Sequence, residues 1–264
     1  MIRGMYAATA GMMTMLSRVQ TISNNLANVN TPGFREDTLR LTSFPQQLMS
    51  RLFNGGGTQN VGSMINGLVN ESMATRFSQG SLRQTEGQLD LAINGDGFFA
   101  VQTTQGVRYT RDGSFRRDGN NQLVTSQGDL VLSAQGTPIT VPPGAISISP
   151  EGQIRVTAVT ANGQLGPVDQ PVAQLGVYSF AEPGQLRKTN GNLFEDPTGL
   201  AQPTPQGAAG LSTVHQGFLE NSNVDPARAM ADMMVAQRSY EASAQLLKLQ
   251  DDLTARAVSD LGRL

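Results

Sequence analysis

The chain has 264 residues with 19 basic and 21 acidic side chains, a net charge of −2, a single histidine, and neither cysteine nor tryptophan. Its length allows one large or two small domains with a sizeable core. The composition excludes disulfides, thiolate metal sites and any cluster needing two imidazoles, and the charge balance leaves no basic footprint for nucleic acid or anionic lipid.

Residues 1–34 open with a heptad. The registers Met5, Met12, Val19, Leu26 and Ala8, Met15, Ile22, Val29 are apolar throughout, the pattern of a helix that packs along another helix. Gly4 and Gly11 each weaken it by about 1 kcal/mol in isolation, so its order depends on a partner. The start "MIRGMYAATAGMMTML" has too short an apolar run before Ala8-Thr9-Ala10 for a cleaved signal peptide. No run approaches the roughly 18 apolar residues that a membrane span requires. The helix then enters "NNLANVNTPGF", where Leu26 and Val29 keep the apolar spacing among Asn24, Asn25, Asn28 and Asn30. Asparagine competes with helix through local hydrogen bonds. Thr31 before Pro32 favours extended backbone and Gly33 permits a sharp exit, so Thr31, Pro32, Gly33 and Phe34 read as a hinge.

Residues 35–75 read as a partly extended connector with a short helix around 44–53 and a Gly-rich stretch after it. From Leu89 the period drops to two, within a β-rich region placed at residues 76–217. Turn dipeptides recur between short β-prone runs, which indicates an all-β domain. Residues 218–264 carry a second helix, started by Asp225-Pro226. Met233, Tyr240, Leu247, Thr254 and Leu261 repeat by seven, and Ala229, Ala236, Ala244 and Leu253 are expected to widen the same side. The fold expected is α+β: N- and C-terminal helices paired as a coiled-coil-like core, with a central all-β domain inserted between them.

No motif points to catalysis, a cofactor or a metal. The Gly-x-Gly of "GDGFF" lacks a following helix and reads as a turn, as does Asp118-Gly119. Arg111 beside Asp112 reads as a structural ion pair, and His215 as a linker or surface residue. Paired carboxylates for glycan hydrolysis have no basis in the spacing.

"NNLANVNTPGF" (24–34) resembles the Asn-rich N-terminal signature of bacterial flagellar rod and hook proteins. "SNVDPARAMADMMVAQRSYEASAQ" (222–245) resembles their C-terminal signature, through Asn223, Val224, Asp225, Met233, Gln237, Arg238, Tyr240 and Glu241. Residues 89–132 are similar to the β-domain of the basal-body rod branch. Pro226 and Ser243 depart from the usual pattern. The resemblance implies a structural axial subunit of the flagellar basal body, distal-rod-like, exported through the flagellar type III apparatus without signal cleavage. It implies a helical homopolymer touching other rod and hook proteins. Asn24, Asn25 and Asn28 then become expected inter-subunit contacts, with Met5, Met12, Met15, Val19, Ile22, Leu26, Val29 and Leu247 in the assembling seam. A hook subunit is the alternative within the superfamily, disfavoured by the chain's length. A secreted wall-associated binding protein or enzyme is the alternative outside it.

Overall fold

A computed structural model of the chain describes residues 2–43, 47–52, 58–64, 68–159, 165–189, 191–197, 204–205 and 212–261. It is α+β and divides into two units. The helical unit comprises Met1–Ala27, Asp37–Ala74 and Asp225–Leu264; the β unit comprises Asn28–Glu36 and Thr75–Val224.

In the helical unit, helix α1 (Ile2–Ala27) packs along helix α2 (Pro226–Leu261). Among the described residues of α1 the buried side chains are Thr14, Thr21, Ile22 and Asn25, of which only Ile22 lies on the expected heptad; Ala8, Met12, Met15, Val19 and Leu26 are half-buried. The side chain of Met5 lies outside the described residues. Val29 falls past the helix end, in a turn where Thr31 N–H donates to the Asn28 carbonyl. The helices run antiparallel, with Arg18 facing Asp232 at 3.9 Å and Gly11 beside Ser243. A Cβ on Gly11 would meet the Ser243 hydroxyl at 4.0 Å, an ordinary van der Waals contact, so the spacing of the helices there would also admit alanine. This register brings the start of α1 to about Gln250, so Asp251–Leu261 extends beyond its partner.

The described residues of Asp37–Ala74 are strands. Strand β1 (Asp37–Ser43) pairs with β4 (Leu68–Thr75), and β2 (Gln47–Leu52) pairs antiparallel with β3 (Thr58–Met64). The helix expected around 44–53 is therefore corrected to strand over 47–52. The backbone there bonds to a segment six residues downstream, and that non-local pairing outweighs a weak local helical pattern.

In the β unit the strands are β5 (Leu82–Gln84), β6 (Leu91–Gly95), β7 (Phe98–Thr103), β8 (Gly106–Thr110), β9 (Arg116–Arg117), β10 (Leu123–Val124), β11 (Leu130–Val131) and β12 (Ala145–Ile148). There follow β13 (Gln153–Val159), β14 (Leu165–Gln174), β15 (Val177–Ser179), β16 (Arg187–Lys188), β17 (Leu193–Glu195), β18 (Thr204–Pro205), β19 (Ser212–Gln216) and β20 (Phe218–Glu220). The largest sheet centres on β7, which pairs with β8 on one edge and with β11 and β15 on the other. Strands β12, β13 and β14 make a separate antiparallel meander.

The two-residue period of β7 divides its side chains between two clusters. Phe99 and Val101 enter the aliphatic core with Leu91, Ile93, Val131 and Ile154. Phe98 enters an aromatic cluster with Phe180 and Phe194, at centroid distances of 5.6 Å to each. Asp118–Asn121 forms the expected tight turn between β9 and β10, with Asn121 at φ 62°. His215 is not in a linker: it lies half-buried in β19, opposite Ala92 of β6.

Candidate functional site

With no chemical centre in the sequence, the candidate site is the set of residues that carry the terminal motifs. In the helical unit, Asn25 is buried and both ends of its amide are used: Nδ2 donates to the Asp37 carbonyl at 2.8 Å, and Oδ1 accepts the Asp37 N–H at 3.0 Å. It ties the last turn of α1 to the first residue of β1. Asn24 is exposed beside a shallow groove lined by Ser17, Gln20, Thr21, Leu39 and Met73. Asp225 caps α2, accepting the N–H groups of Ala227 and Arg228 at Oδ1 (3.0 and 3.3 Å), as an N-terminal Asp-Pro is suited to do.

Along α2, Ala236 is buried, and Ala229, Met233, Ser243, Leu247 and Thr254 are half-buried on one stripe. Leu253 does not join them and is 60 % exposed. Nine residues beyond Ala244 is about two and a half turns, which places it on the opposite side. Gln237, Arg238 and Glu241 are exposed, and Tyr240 sits at the seam's edge, 37 % exposed. A second apolar row runs down α2 about 120° round from the first: Val235, Leu246, Leu249 and Leu253, each more than half exposed.

In the β unit, the hinge residues are held tightly. Gly33 has φ +66°, and a Cβ there would lie 2.4 Å from the Arg111 carbonyl carbon. Its N–H donates to the Glu220 carbonyl at 2.8 Å. The Pro32 carbonyl accepts Asn192 Nδ2, and Lys188 Nζ donates to the Arg35 carbonyl while lying 3.7 Å above the Phe34 ring. Asn223 joins three stretches of chain: Oδ1 accepts the Glu36 N–H at 2.7 Å, and Nδ2 donates to the carbonyls of Arg76 and Ser78. Val224 is buried beside it in sequence.

Beneath the hinge, Glu220 lies between two guanidinium groups. Arg35 Nη1 donates to Oε1 at 2.6 Å and Arg111 Nη1 to Oε2 at 3.3 Å, with all three side chains buried. Gly80 N–H also donates to Oε1, and Arg111 Nη2 to the Gly95 carbonyl. Burial lowers Arg111 to about 10, against the opposing pull of Glu220. The partner expected from sequence, Asp112, instead accepts the Ser114 N–H and hydroxyl. Burial pushes the Asp112 carboxyl above its ordinary value, opposed by those Ser114 bonds. Sequence reasoning missed Arg35 and Glu220, because nothing local marks a charge destined for burial.

The comparisons with known proteins cover both ends and the middle. Residues 5–35 match the family described as flagella basal body rod protein, and residues 215–260 match the flagellar basal body rod FlgEFG protein C-terminal family. Residues 92–156 match the flagellar hook protein FlgE/F/G D1 domain. The chain is 35 % identical to the flagellar basal-body rod protein FlgG of Borreliella burgdorferi, over 96 % of both chains. It is 32 % identical to FlgG of Bacillus subtilis, over 98 % of this chain and 99 % of that one. It is 33 % identical to the flagellar basal-body rod protein FlgF of Caulobacter vibrioides, over the whole of both chains.

Proposed function

This chain belongs to the flagellar basal-body rod protein family, and from that premise we propose that it polymerises into a helical tube through its terminal helices. It is a structural axial subunit of the rod, located in the flagellar basal body, and not an enzyme. In our reading it leaves the cytoplasm through the flagellar type III export apparatus with its N-terminus uncleaved, and meets other rod and hook proteins at the ends of its own segment.

The observation that carries the polymer reading is the second apolar row of α2. Val235, Leu246, Leu249 and Leu253 are 58–60 % exposed while the first stripe packs on α1. Large apolar side chains repeatedly left in solvent on one side of a helix are a candidate interaction site. In the overhang at Asp251–Leu261, Val258 lies about three turns past Leu247, in line with the first stripe, and is 70 % exposed. A second copy supplies the occupant, because the α1-facing stripe of α2 runs on into the overhang past the start of α1, and a head-to-tail contact that does not close generates a helical filament. Met12, Met15, Val19, Ile22, Leu26, Met233 and Leu247 then form the seam within each subunit. Asn24, Gln237, Arg238, Tyr240 and Glu241 face neighbours. Asn25, Asn28, Asn223, Val224 and Asp225 fix where each helix begins or ends, and Thr31–Phe34 act as the hinge.

The test is electron microscopy of basal bodies from cells lacking the protein. A missing or truncated rod supports the reading; a complete rod and hook would overturn it.

A further inference from the structure

Helix α2 outruns α1 at one end of their pairing, and an open groove lies toward the other. Past the start of α1, Asp251–Leu261 carries the α1-facing stripe on through Thr254 and Val258. The groove, of about 420 Å³, sits beside the last turns of α1. Its helix side holds Ser17, Gln20 and Asn24, and its strand side Leu39 and Met73; among its described lining residues only Asp37 is charged. Gln20 and Asn24 are exposed, and Met73 is 67 % exposed. Ser17, Gln20 and Asn24 lie roughly 150° round α1 from Gly11 and Arg18, which face α2. The chain's own α2 therefore does not fill the groove. Charge is complementary as well. Ile2–Ala27 carries Arg3 and Arg18 and no acidic residue, whereas Asp251–Leu261 carries Asp251, Asp252 and Asp260 against Arg256.

We propose that the Asp251–Leu261 overhang of one copy docks in the groove at Gln20, Asn24, Leu39 and Met73 of the next copy. The proposal rests on the reading that the chain polymerises through its terminal helices, and it names the surface that the overhang meets. A tube wall needs contacts in two directions. The second apolar row of α2 supplies a sideways contact; overhang to groove supplies one along the helix axes. The α1-facing stripe then runs past α1 of its own chain onto the outer face of α1 in the next. Val258 packs against Leu39 and Met73, which removes apolar surface of both copies from water. On the helix side the groove offers hydroxyl and amide groups, so no charge of α1 has to be desolvated. The overhang and the groove lie toward opposite ends of α1. Each pairing therefore leaves one of each unused, and the contact propagates instead of closing.

The experiment is disulfide trapping. The chain has no cysteine, so introduced thiols are the only ones present. Full-length Gln20→Cys and Val258→Cys are mixed, assembled under reducing conditions and then oxidised. Within one chain these positions are about 39 Å apart, since Gln20 lies near the level of Asp232. A disulfide needs Cα atoms within about 7 Å, so a bond between them joins two copies. The expected result is a disulfide between positions 20 and 258, identified by peptide mass spectrometry. It should form roughly tenfold faster or more in the polymer than in the dilute unassembled mixture, because docking raises the local thiol concentration to about millimolar. Leu249→Cys mixed with Val258→Cys is the competing pair. A bond between 249 and 258 with none between 20 and 258 would put the overhang on the second row and overturn the proposal. Hydroxyl-radical footprinting of the parent gives a measurement free of substitutions. Leu39, Met73 and Val258 should lose reactivity together on assembly, and unchanged reactivity of Met73 and Val258 in sedimenting polymer would also overturn the proposal. Polymer with neither signal removes this docking and leaves the polymer reading standing. If the parent forms no polymer under any condition, both fail.

Discussion

Arg35 and Glu220 are 185 residues apart in the chain, yet their side chains meet at 2.6 Å, both withdrawn from solvent. Arg111 completes a buried triad around the same carboxylate. Replacing such a cluster by apolar residues is often harmless, but breaking it by removing one charge costs about 3–5 kcal/mol. Glu220→Gln leaves two buried guanidinium groups facing a neutral amide. Urea denaturation of this variant should show a loss of that order, and a loss under about 1 kcal/mol would mean that the triad is solvated.

Gly33→Ala is expected to destabilise the β unit by more than 1 kcal/mol, the usual bound for a residue forced into positive φ. At φ +66° its new Cβ would also strike the Arg111 backbone. Gly119→Ala serves as control, because nothing lies within 4 Å of a Cβ there. Thermal unfolding of the two variants should separate clearly.

Asp112 sets a pH dependence of unusual sign. Its carboxyl is raised above the ordinary 3.8, mainly by burial. Between 3.8 and the raised value, the folded chain holds a proton that the unfolded chain has released. Stability from this group therefore falls as pH rises through that window and stays reduced at neutral pH. Asp112→Asn keeps an acceptor for the Ser114 N–H and hydroxyl, both of which bond Oδ1. The variant should match or exceed the parent in stability at neutral pH, and its stability should vary less across the acidic window. A variant much less stable at neutral pH would show that the charge itself is needed.

Leu249→Glu tests the second row of α2. Leu249 is 58 % exposed, so the substitution should change monomer stability by no more than about 0.5 kcal/mol. Placed in a subunit interface it should abolish assembly, read as a loss of sedimenting polymer. Unchanged assembly with an unchanged monomer would remove this row from the interface.

The terminal helices and the β unit were legible because each has a sustained local signal: a seven-residue apolar repeat, and turn residues at short regular intervals. What was not legible depended on distance. Strand β2 needs β3 before its backbone bonds can form. Arg111 lies next to Asp112 in sequence but is turned toward Glu220, on a strand more than a hundred residues away. Leu253 looked like part of the packed side until helical rotation is counted from Ala244. The backbone partners of the Asn25 and Asn223 amides inside the chain were also not legible. Both are side chains that bond backbone groups, and no short pattern says which backbone they will find.

The wide separation of Arg35 and Glu220 also has a consequence in time. Closing so long a loop is entropically slow, and Arg35 precedes its carboxylate by most of the chain. Until Glu220 is present, Arg35 stays hydrated and the hinge segment has no Glu220 carbonyl to receive Gly33. A chain ending short of Glu220 thus loses more than α2: it cannot complete the β unit either. Completion of the β unit reports that the chain has arrived at least as far as Glu220.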